Sequence, residues 1–371
     1  MKIYFKEMKI AEIIQTIEDF APISYQENYD NAGLLIGDKL ADCKGVLICL
    51  DAIEAVIDEA IAKKCNLVVA HHPIIFSGLK KITGKNYIER VIIKAIKNDI
   101  AIYACHTNLD NVQLGVNNRI ADQLGLINRE ILEPKKGVLK KLFTYVPTQH
   151  KDALLNALFT ASAGNIGNYS ECSFSVDGIG TFKGNEFSNP VIGKKQIRST
   201  EKETKIEVIF PNYAETNILK ALKENHPYEE VAYEIISLDN TFQKVGSGLI
   251  GELKKPVSEM DFLKQLKKKM QTSCIRYTSL LNKPIQKVAL CGGSGSFLLQ
   301  NAVSQKADVF ITGDFKYHQF FDADNQIVIA DIGHYESEQF TSQLFNEIIS
   351  EKFPTFAVQI STVNTNPVNY I

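Results

Sequence analysis

The residues of this 371-residue chain best suited to chemistry are two adjacent histidines, His71 and His72, which follow the apolar run of residues 67–70. Imidazole combined with carboxylate suits borderline metals such as zinc or iron. Because neighbouring side chains on an extended chain point in opposite directions, these histidines cannot easily chelate one ion, but they can serve two. The pair therefore favours a dinuclear site. A solvated or capping role is the alternative when the pair is considered alone.

A second candidate group lies near the other end of the chain, where His334 and Glu338 are four residues apart at the start of a predicted helix. This spacing places both side chains on one face, where Glu338 can bridge two ions. A carboxylate interacting with the helix dipole is the alternative. Asp110, which a simple turn would also explain, follows another predicted strand. The sequence thus predicts two divalent ions (zinc, iron, manganese or cobalt) held by His71, His72, Asp110, His334 and Glu338.

Further polar residues near these motifs are candidates for contacts with the ligands or with a substrate. His106 and Asn108 lie just before the aspartate ligand and can orient it or contact substrate. His318, which also follows a strand, is a candidate for proton transfer or substrate contact, and His106 is the other candidate for proton transfer. Asp314 and Lys316 lie in the same segment as His318, where turn structure is the alternative and the better reading for Lys316.

A glycine-rich loop, Gly292-Gly293-Ser294-Gly295, precedes a predicted helix. Backbone N–H groups at a helix N-terminus favour anions, so the loop is a candidate phosphate and substrate site. It lacks the Gly-Lys-Ser/Thr ending of a P-loop and the full dinucleotide fingerprint. Tight packing of strand against helix is at least as good an explanation.

Strands alternate with helices in residues 1–127 and again in residues 245–371, which predicts parallel βαβ units. Ligands of such sheets gather at the carboxyl ends of the strands, where the candidate residues fall. Residues 128–244 follow the order strand–helix–strand–strand–helix–strand, which is ferredoxin-like. The predicted fold is therefore a discontinuous α/β metal-binding domain, built from both chain ends, with an inserted α+β domain.

Three local interpretations accompany this division of the chain. Residues 164–184 are expected to form a polar, glycine-rich connection. A charged run at residues 198–205 is expected to precede a strand at residues 206–210. Near the C-terminus, one helix is expected from residue 335 to about residue 349.

Composition bounds the class of protein. Hydrophobic residues make up 45% and charged residues 23% of the chain, which are globular values, and the formal charge is -2. This charge gives no general attraction to nucleic acid or anionic membrane, so nucleic acid is not expected as a partner. The seven cysteines are scattered without a CxxC pair, and no signal-like or membrane-spanning apolar stretch occurs. A cytoplasmic protein with reduced thiols is expected.

Six segments together resemble those of the GTP cyclohydrolase 1 type 2 homologues, also called Nif-three-like proteins. They are residues 29–37, 69–73, 106–110, 292–295, 312–318 and 333–338. They occur in the expected order and span nearly the whole chain outside the middle segment. The resemblance implies that His71 and Asp110 bind one ion, that His72 and His334 bind the other, and that Glu338 bridges or is shared.

The resemblance also implies properties beyond the metal ligands. The middle segment resembles the CutA-like or PII-like insertion of longer family members, to which His226 would belong. Members are expected to form homo-hexamers, toroids of trimers, with the metal sites facing an internal cavity. The family name implies a ring-opening hydrolysis of GTP, in which water attacks purine C8 and formate leaves.

Two functions follow as expectations. The first is a metal-dependent hydrolase acting on a nucleotide or related phosphorylated metabolite, with His318 or His106 moving the proton and residues 292–295 holding phosphates. The second is a non-enzymatic metal-binding regulatory or sensor protein that acts through its ring assembly and its PII-like insert.

Overall fold

The computed structural model describes residues 8–371 of the chain. They form two compact units: the chain up to Pro134 together with Lys244–Ile371 makes the first, and Lys135–Gln243 makes the second. The helices are α1 (Ile10–Phe20), α2 (Glu54–Ala62), α3 (Tyr87–Lys97), α4 (Thr107–Asp110), α5 (Val116–Leu124), α6 (Lys151–Thr160), α7 (Glu215–Asn225), α8 (Glu259–Lys269), α9 (Leu299–Ser304), α10 (His334–Glu338) and α11 (Thr341–Lys352). Within residues 8–371, none of the helices is both long and apolar enough to cross a membrane.

The strands are distributed over three sheets. They are β1 (Gly33–Ile36), β2 (Val46–Asp51), β3 (Leu67–His72), β4 (Ala101–Ala104), β5 (Ile127–Lys135), β6 (Leu139–Pro147), β7 (Ser173–Phe182), β8 (Ser199–Pro211), β9 (Tyr233–Leu238), β10 (Phe242–Val257), β11 (Arg276–Tyr277), β12 (Ile285–Ser294), β13 (Val309–Gly313), β14 (Val328–Asp331) and β15 (Val358–Ile360).

The first unit contains a five-stranded sheet in the order β1-β4-β3-β2-β15. Strands β15, β2, β3 and β4 are parallel, and β1 is antiparallel to β4. The side chains of β2, β3 and β4 are almost all buried, as expected for parallel strands covered on both faces. In this register Asp51 lies directly beside His72, so two polar side chains meet at the carboxyl ends of neighbouring strands.

The first unit also contains a six-stranded sheet in the order β11-β14-β13-β12-β10-β5. Its centre, β12-β13-β14, is parallel, and β10 and β11 are antiparallel to their neighbours. Alternate residues of β13 enter different apolar clusters, with Val309 and Ile311 in one and Phe310 in the other. The sequence predicts that the insertion begins at residue 128. Strand β5 is nevertheless an edge strand of this sheet, so the chain up to Pro134 belongs to the first unit.

Local sequence explains the helices that brace the first unit. Ile10, Ile13, Ile14 and Ile17 recur at i, i+3, i+4 and i+7 and are all buried, so α1 presents one apolar face, and it packs against α11. Helix α3 begins after Asn86, whose side chain accepts a hydrogen bond from the Glu89 backbone N–H.

The second unit is a four-stranded antiparallel sheet in the order β7-β8-β6-β9. Helices α6 and α7 supply Leu154, Leu158, Ile218 and Leu222 to an apolar core that also contains Phe210 of β8. Along the chain the elements run β6-α6-β7-β8-α7-β9, which is the order of a ferredoxin-like arrangement.

Three local interpretations from the sequence were wrong. Residues 164–184 include β7, which sequence patterning missed because most of its side chains are exposed and show no alternating buried face. The charged run at residues 198–205 is the first half of β8 itself, since β8 extends continuously from Ser199 to Pro211. The predicted helix at residues 335–349 is interrupted between α10 and α11, where Phe340 packs against the core of the six-stranded sheet.

Candidate metal centre

The five side chains predicted as metal ligands lie together at the edge where the strands of the first unit end. His71 and His72 are the last residues of β3, and Asp110 is the last residue of α4, just after β4. His334 and Glu338 are the first and last residues of α10, which follows β14. Elements from both ends of the chain therefore contribute to one cluster.

Glu338 lies between two groups of ligand atoms. Its Oε1 is 3.8 Å from His71 Nε2, which is in turn 3.6 Å from Asp110 Oδ1. Its Oε2 is 3.0 Å from His72 Nε2 and 3.1 Å from His334 Nε2. The rings of His71 and His72 are close, with centroids 4.9 Å apart, yet their Nε2 atoms face different partners. The two oxygens of Glu338 thus face two separate sets of side chains.

The histidines around the cluster share one arrangement, in which Nδ1 engages an oxygen outside the cluster. The pairs are His71 with the Cys105 carbonyl at 2.9 Å, His72 with Asp51 Oδ1 at 2.8 Å, His106 with Asp30 Oδ1 at 2.8 Å, and His334 with Asp314 Oδ2 at 2.6 Å. Histidines that ligate metals characteristically donate their other ring N–H to a carboxylate or a carbonyl, which fixes the tautomer and the ring orientation. The arrangement leaves Nε2 as the nitrogen that would meet a cation; the Nε2 atoms of His72 and His334 lie 3.3 Å from each other.

Burial and mutual charge shift the pKa values of the cluster strongly. Burial, reinforced by the Glu338 charge, raises the pKa of Asp110. Burial also opposes ionisation of Glu338, but the neighbouring His334 and His72 outweigh it and hold its pKa well below the usual range. Burial disfavours charged imidazoles, yet Glu338 and Asp51 raise the pKa of His72 to about 10, and Glu338 and Asp314 raise that of His334 to about 11. Protons held in this way are released when a cation binds the same atoms.

The donor set fits a metal ion. The buried atoms His71 Nε2 and Asp110 Oδ1 have no hydrogen-bond partner, which is costly for polar atoms removed from water, and Glu338 Oε2 meets His72 and His334 as ion-pair contacts without hydrogen-bond geometry. His71, Asp110 and Glu338 offer ligand atoms within 4.8 Å of one another, as do His72, His334 and Glu338. Imidazole nitrogens and carboxylate oxygens at this spacing can hold a divalent transition metal.

Two glycines make room for the central carboxylate. A Cβ atom on Gly293 would lie 2.4 Å from Glu338 Oε1, and Gly293 has a positive φ of +60°. A Cβ atom on Gly292 would lie 3.4 Å from Glu338 Cγ. Close approach of α10 to the end of β12 therefore requires a residue without a side chain at position 293.

The same glycine loop does not present the free phosphate cradle that the sequence suggested. Residues up to Ser294 belong to β12, and a single 3₁₀ turn, Ser296–Leu298, separates the loop from the start of α9 at Leu299. Three backbone N–H groups already donate to side-chain oxygens: Gly292 to Asn117, Gly293 to Ser337 and Gly295 to Thr312, each at 2.9 Å. Tight packing, the alternative, explains the glycines better. Of these four residues, Gly292 and Ser294 line the cavity beside the metal ligands.

The three other predicted site residues have different environments. His106 lines the cavity beside His71 and His72, with ring centroids 5.3 Å away from each. Asn108 is fully buried and uses its side chain internally, donating to the Ala21 carbonyl at 2.7 Å and accepting from the His106 backbone N–H, so it is not placed to touch a substrate. His318 is exposed, packs against Tyr317, and is not among the residues that line the cavity.

A cavity of about 750 Å³ opens onto the cluster. Arg276 of β11 supplies the only lysine or arginine among the lining residues in the described part of the chain. Its guanidinium pairs with Asp331, donates to the Phe315 carbonyl at 3.0 Å and lies over the Phe320 ring. Such a fixed guanidinium is suited to an anionic group of a ligand.

Several residues that build the site were missed or misjudged from the sequence. Asp51 ends β2, and its position after a buried strand is the signal that identifies it. Asp314 was weighed as a turn residue. Asp30 lies in a loop, 76 residues from His106, within the segment 29–37 that resembles the family, but no ligand-like spacing marks it as the partner of His106. Hydrogen bonds from His106 and Thr107 hold the pKa of Asp30 at about 2 against the opposing effect of burial.

Comparison with known proteins agrees with this architecture. Residues 8–367 match the model of the Duf34/NIF3 (NGG1p interacting factor 3) family. A GTP cyclohydrolase 1 type 2 homolog of Bacillus subtilis is 37% identical over 99% of this chain and 100% of its own length, and that of Halalkalibacterium halodurans is 40% identical over 98% and 100%. The crystal structure of a Bacillus cereus protein related to NIF3 matches with a TM-score of 0.86 at 36% identity, covering 99% of this chain and 100% of the other. The chain belongs to the Duf34/NIF3 family.

Proposed function

We propose that this protein is a metal-dependent hydrolase with a pair of divalent cations, zinc, iron or manganese, at the cluster. The observation that carries the proposal is the position of Glu338, whose Oε1 faces His71 and Asp110 while its Oε2 faces His72 and His334. One ion would be held by His71 and Asp110, the second by His72 and His334, and Glu338 would serve both. The unpartnered buried atoms His71 Nε2 and Asp110 Oδ1 support the first of these sets.

A pair of divalent ions in such a site would supply an activated water near neutral pH and would neutralise negative charge on phosphate oxygens or polarise a carbon–heteroatom double bond. The surrounding residues prepare the site. Asp51 and Asp314 fix the rings of His72 and His334. His106, oriented by Asp30 and lining the cavity, is the residue proposed to move a proton, in preference to the exposed His318.

The proposed substrate is a nucleotide or a related phosphorylated metabolite. The relatives are named GTP cyclohydrolase 1 type 2 homologs, so ring-opening hydrolysis of GTP is one reaction to test. A cavity of about 750 Å³ has room for a nucleotide-sized molecule, and Arg276 offers a cationic group to an anion. Because the N–H groups of Gly292, Gly293 and Gly295 have partners, Arg276 and the Ser294 hydroxyl are the proposed phosphate contacts.

The test combines metal analysis with a survey of turnover. Purified protein is reconstituted with zinc, iron or manganese, its bound metal is measured, and nucleotides and phosphoesters, GTP included, are assayed with and without a chelator. We expect about two ions per chain and a metal-dependent turnover. Glu338→Ala should abolish this turnover. His106→Gln should lower it while the metal content is retained. Failure of every metal-loaded form to turn over any of these substrates would refute the hydrolase, whatever the metal content.

The second candidate function is a metal-binding regulatory or sensor protein. The observation that favours it is a separate cavity of about 360 Å³ within Lys135–Gln243, lined among others by Phe182, Glu203 and Tyr228. If the sensor function holds, nucleotides or metabolites bind to the isolated second unit without being converted. In the full chain, Tyr228→Ala should weaken that binding. A robust turnover that Glu338→Ala abolishes, with binding through residues 135–243 unaffected, contradicts it.

We further propose that the unit Lys135–Gln243, within the predicted segment 128–244, is a CutA-like or PII-like insertion and that the chain assembles as a homo-hexamer in the cytoplasm. Support for the insertion is the compact unit Lys135–Gln243 with its own sheet and β–α–β–β–α–β order. The seven cysteines are free, which agrees with a reducing compartment. Light scattering tests the assembly, since a hexamer has six times the 41.5 kDa mass of the chain.

A further inference from the structure

The C-terminal tail, residues 361–371, follows β15 and contains no helix or strand, yet it is held at defined points. Its first anchor is Glu59 of α2. The Glu59 carboxylate accepts hydrogen bonds from the Thr362 backbone N–H at 3.0 Å and hydroxyl at 2.8 Å, and from the Ser361 hydroxyl. These bonds direct the tail across the first unit toward the metal cluster.

The second anchor reaches a residue that orients a predicted metal ligand. The hydroxyl of Thr365, which is buried, donates to Asp51 Oδ2 at 2.6 Å. The other oxygen of the same carboxylate, Oδ1, is 2.8 Å from His72 Nδ1. A carboxylate with hydrogen bonds at both oxygens is restrained from rotating about its terminal bond. The Thr365 hydroxyl, bound to Oδ2, therefore helps to fix Oδ1 of Asp51 in the position where it holds the His72 ring.

The third anchor reaches the helix that carries the ligands from the other end of the chain. Asn366 donates from Nδ2 to Glu336 Oε1 at 3.1 Å, and Glu336 lies on α10 between His334 and Glu338. Asn366 and the three tail residues Pro367, Val368 and Tyr370 line the cavity. Glu336 therefore does not join the ligand cluster, but it ties α10 to the tail.

We propose that the C-terminal tail is a built-in part of the metal centre, in which Thr365 is a positioning residue that fixes Asp51 and thereby the His72 ring. Asn366 connects the same segment to α10, so one stretch of chain restrains ligand-bearing elements from both ends of the sequence. The inference rests on the proposed metal binding, but not on the proposed hydrolysis.

Removal of the Thr365 hydroxyl leaves Asp51 Oδ2 without this partner. The carboxylate is then free to turn toward water, because its side chain is about one-third exposed. Loss of a direct orienting partner typically weakens metal affinity about 10–100-fold. Since Thr365 acts one step further out, we expect a loss of roughly 3- to 10-fold. The loss should fall on the ion bound by His72 and His334, while the ion bound by His71 and Asp110 is retained.

The experiment is a zinc titration of the full-length protein in competition with a chromophoric chelator, which resolves the two binding steps. Thr365→Val is compared with Thr365→Ser, which keeps the hydroxyl, and with Thr16→Val. Thr16 is a matched control because it is buried in the same unit and its hydroxyl bonds only to the Glu12 carbonyl within α1. We expect one step to weaken in Thr365→Val, and wild-type affinities in Thr365→Ser and Thr16→Val.

Two wild-type binding steps in folded Thr365→Val, or an equal loss in Thr16→Val, would overturn the inference. If Thr365→Val does not fold, as judged by circular dichroism, Asn366→Ala decides, because it leaves Thr365 and Asp51 unchanged. A weakened step in Asn366→Ala supports the tail as part of the centre, and unchanged affinity rejects it. If the wild-type protein takes up no zinc, the proposed metal binding itself is refuted, and the inference about Thr365 falls with it.

Discussion

Histidines in the two units of this chain have contrasting environments. His226, in the second unit, uses both ring nitrogens: Nε2 donates to the Tyr145 carbonyl at 2.9 Å, and Nδ1 accepts from the Tyr228 backbone N–H at 3.1 Å. His72 and His334, in the first unit, use Nδ1 for a carboxylate partner and direct Nε2 toward Glu338.

The charge state of these histidines differs accordingly. Burial lowers the pKa of His226 and favours a neutral ring, whereas the carboxylates around His72 raise its pKa to about 10 despite burial. The contrast teaches that burial alone does not mark a metal ligand. A histidine with both nitrogens satisfied by backbone groups locks a loop, and one that turns a nitrogen toward a buried carboxylate shared with other ligands is prepared for a cation.

The largest expected effect comes from Glu338→Gln, which removes the charge shared by both sets of ligand atoms. We expect metal affinity to fall by more than the roughly 10–100-fold typical of losing an orienting partner. A metal that binds only the folded state stabilises it by about 2.7 kcal/mol at a concentration of 100 Kd. Thermal unfolding with and without chelator should therefore show a metal-dependent midpoint in the wild-type protein and none in Glu338→Gln. Equal metal responses in the two proteins would remove Glu338 from the centre.

The next largest effect is expected from Gly293→Ala. Its Cβ would lie 2.4 Å from Glu338 Oε1, in addition to the strain of a positive φ, which costs roughly 1–2 kcal/mol. We expect displacement of the carboxylate and at least about a tenfold loss of metal affinity. Gly125→Ala is the matched control, because Gly125 has a φ of +74° in the same unit and nothing within 4 Å of the added atom. Both variants should lose stability, but only Gly293→Ala should lose metal, as measured by the zinc titration.

For the second unit, His226→Ala should destabilise the fold by about 1–3 kcal/mol through two lost hydrogen bonds and leave metal affinity unchanged. The pH dependence has a definite sign. Since the folded-state pKa of His226 lies below its ordinary 6.5, the unfolded chain binds more protons, and stability present above pH 6.5 is lost as the pH falls. Denaturant unfolding followed in the second unit should show a smaller loss between pH 7 and pH 5 in His226→Ala than in the wild-type protein. An unchanged slope would contradict this account.

The extent to which the site could be predicted follows from how local its signals are. Two of the signals are patterns within a few residues: His71 and His72 follow an apolar strand, and His334 and Glu338 are spaced at i and i+4. The rule that ligands gather at the carboxyl ends of parallel strands then predicts that these residues share one edge. Asp30 and Thr365 have no such pattern, because each acquires its role from a contact with a residue distant in sequence. Fold prediction failed at β7, where Phe174 and Val176 alternate with polar residues but Gly178 and Gly180 then interrupt the apolar alternation.

The smallest expected effect is that of His318→Ala, and it tests whether position after a strand is enough to identify a site residue. His318 follows β13, as His72 ends β3, but its ring is exposed beside Tyr317 and Phe321 and lies outside the cavity lining. With no bond to any ligand or orienting carboxylate, its loss should change neither metal affinity nor the stability gained from metal. His106→Gln, at a residue that lines the cavity, should lower turnover under the same conditions. An equal drop in turnover for His318→Ala and His106→Gln would contradict this prediction. It would mean that His318 reaches the reacting groups through contacts that are absent from the structure of a single chain.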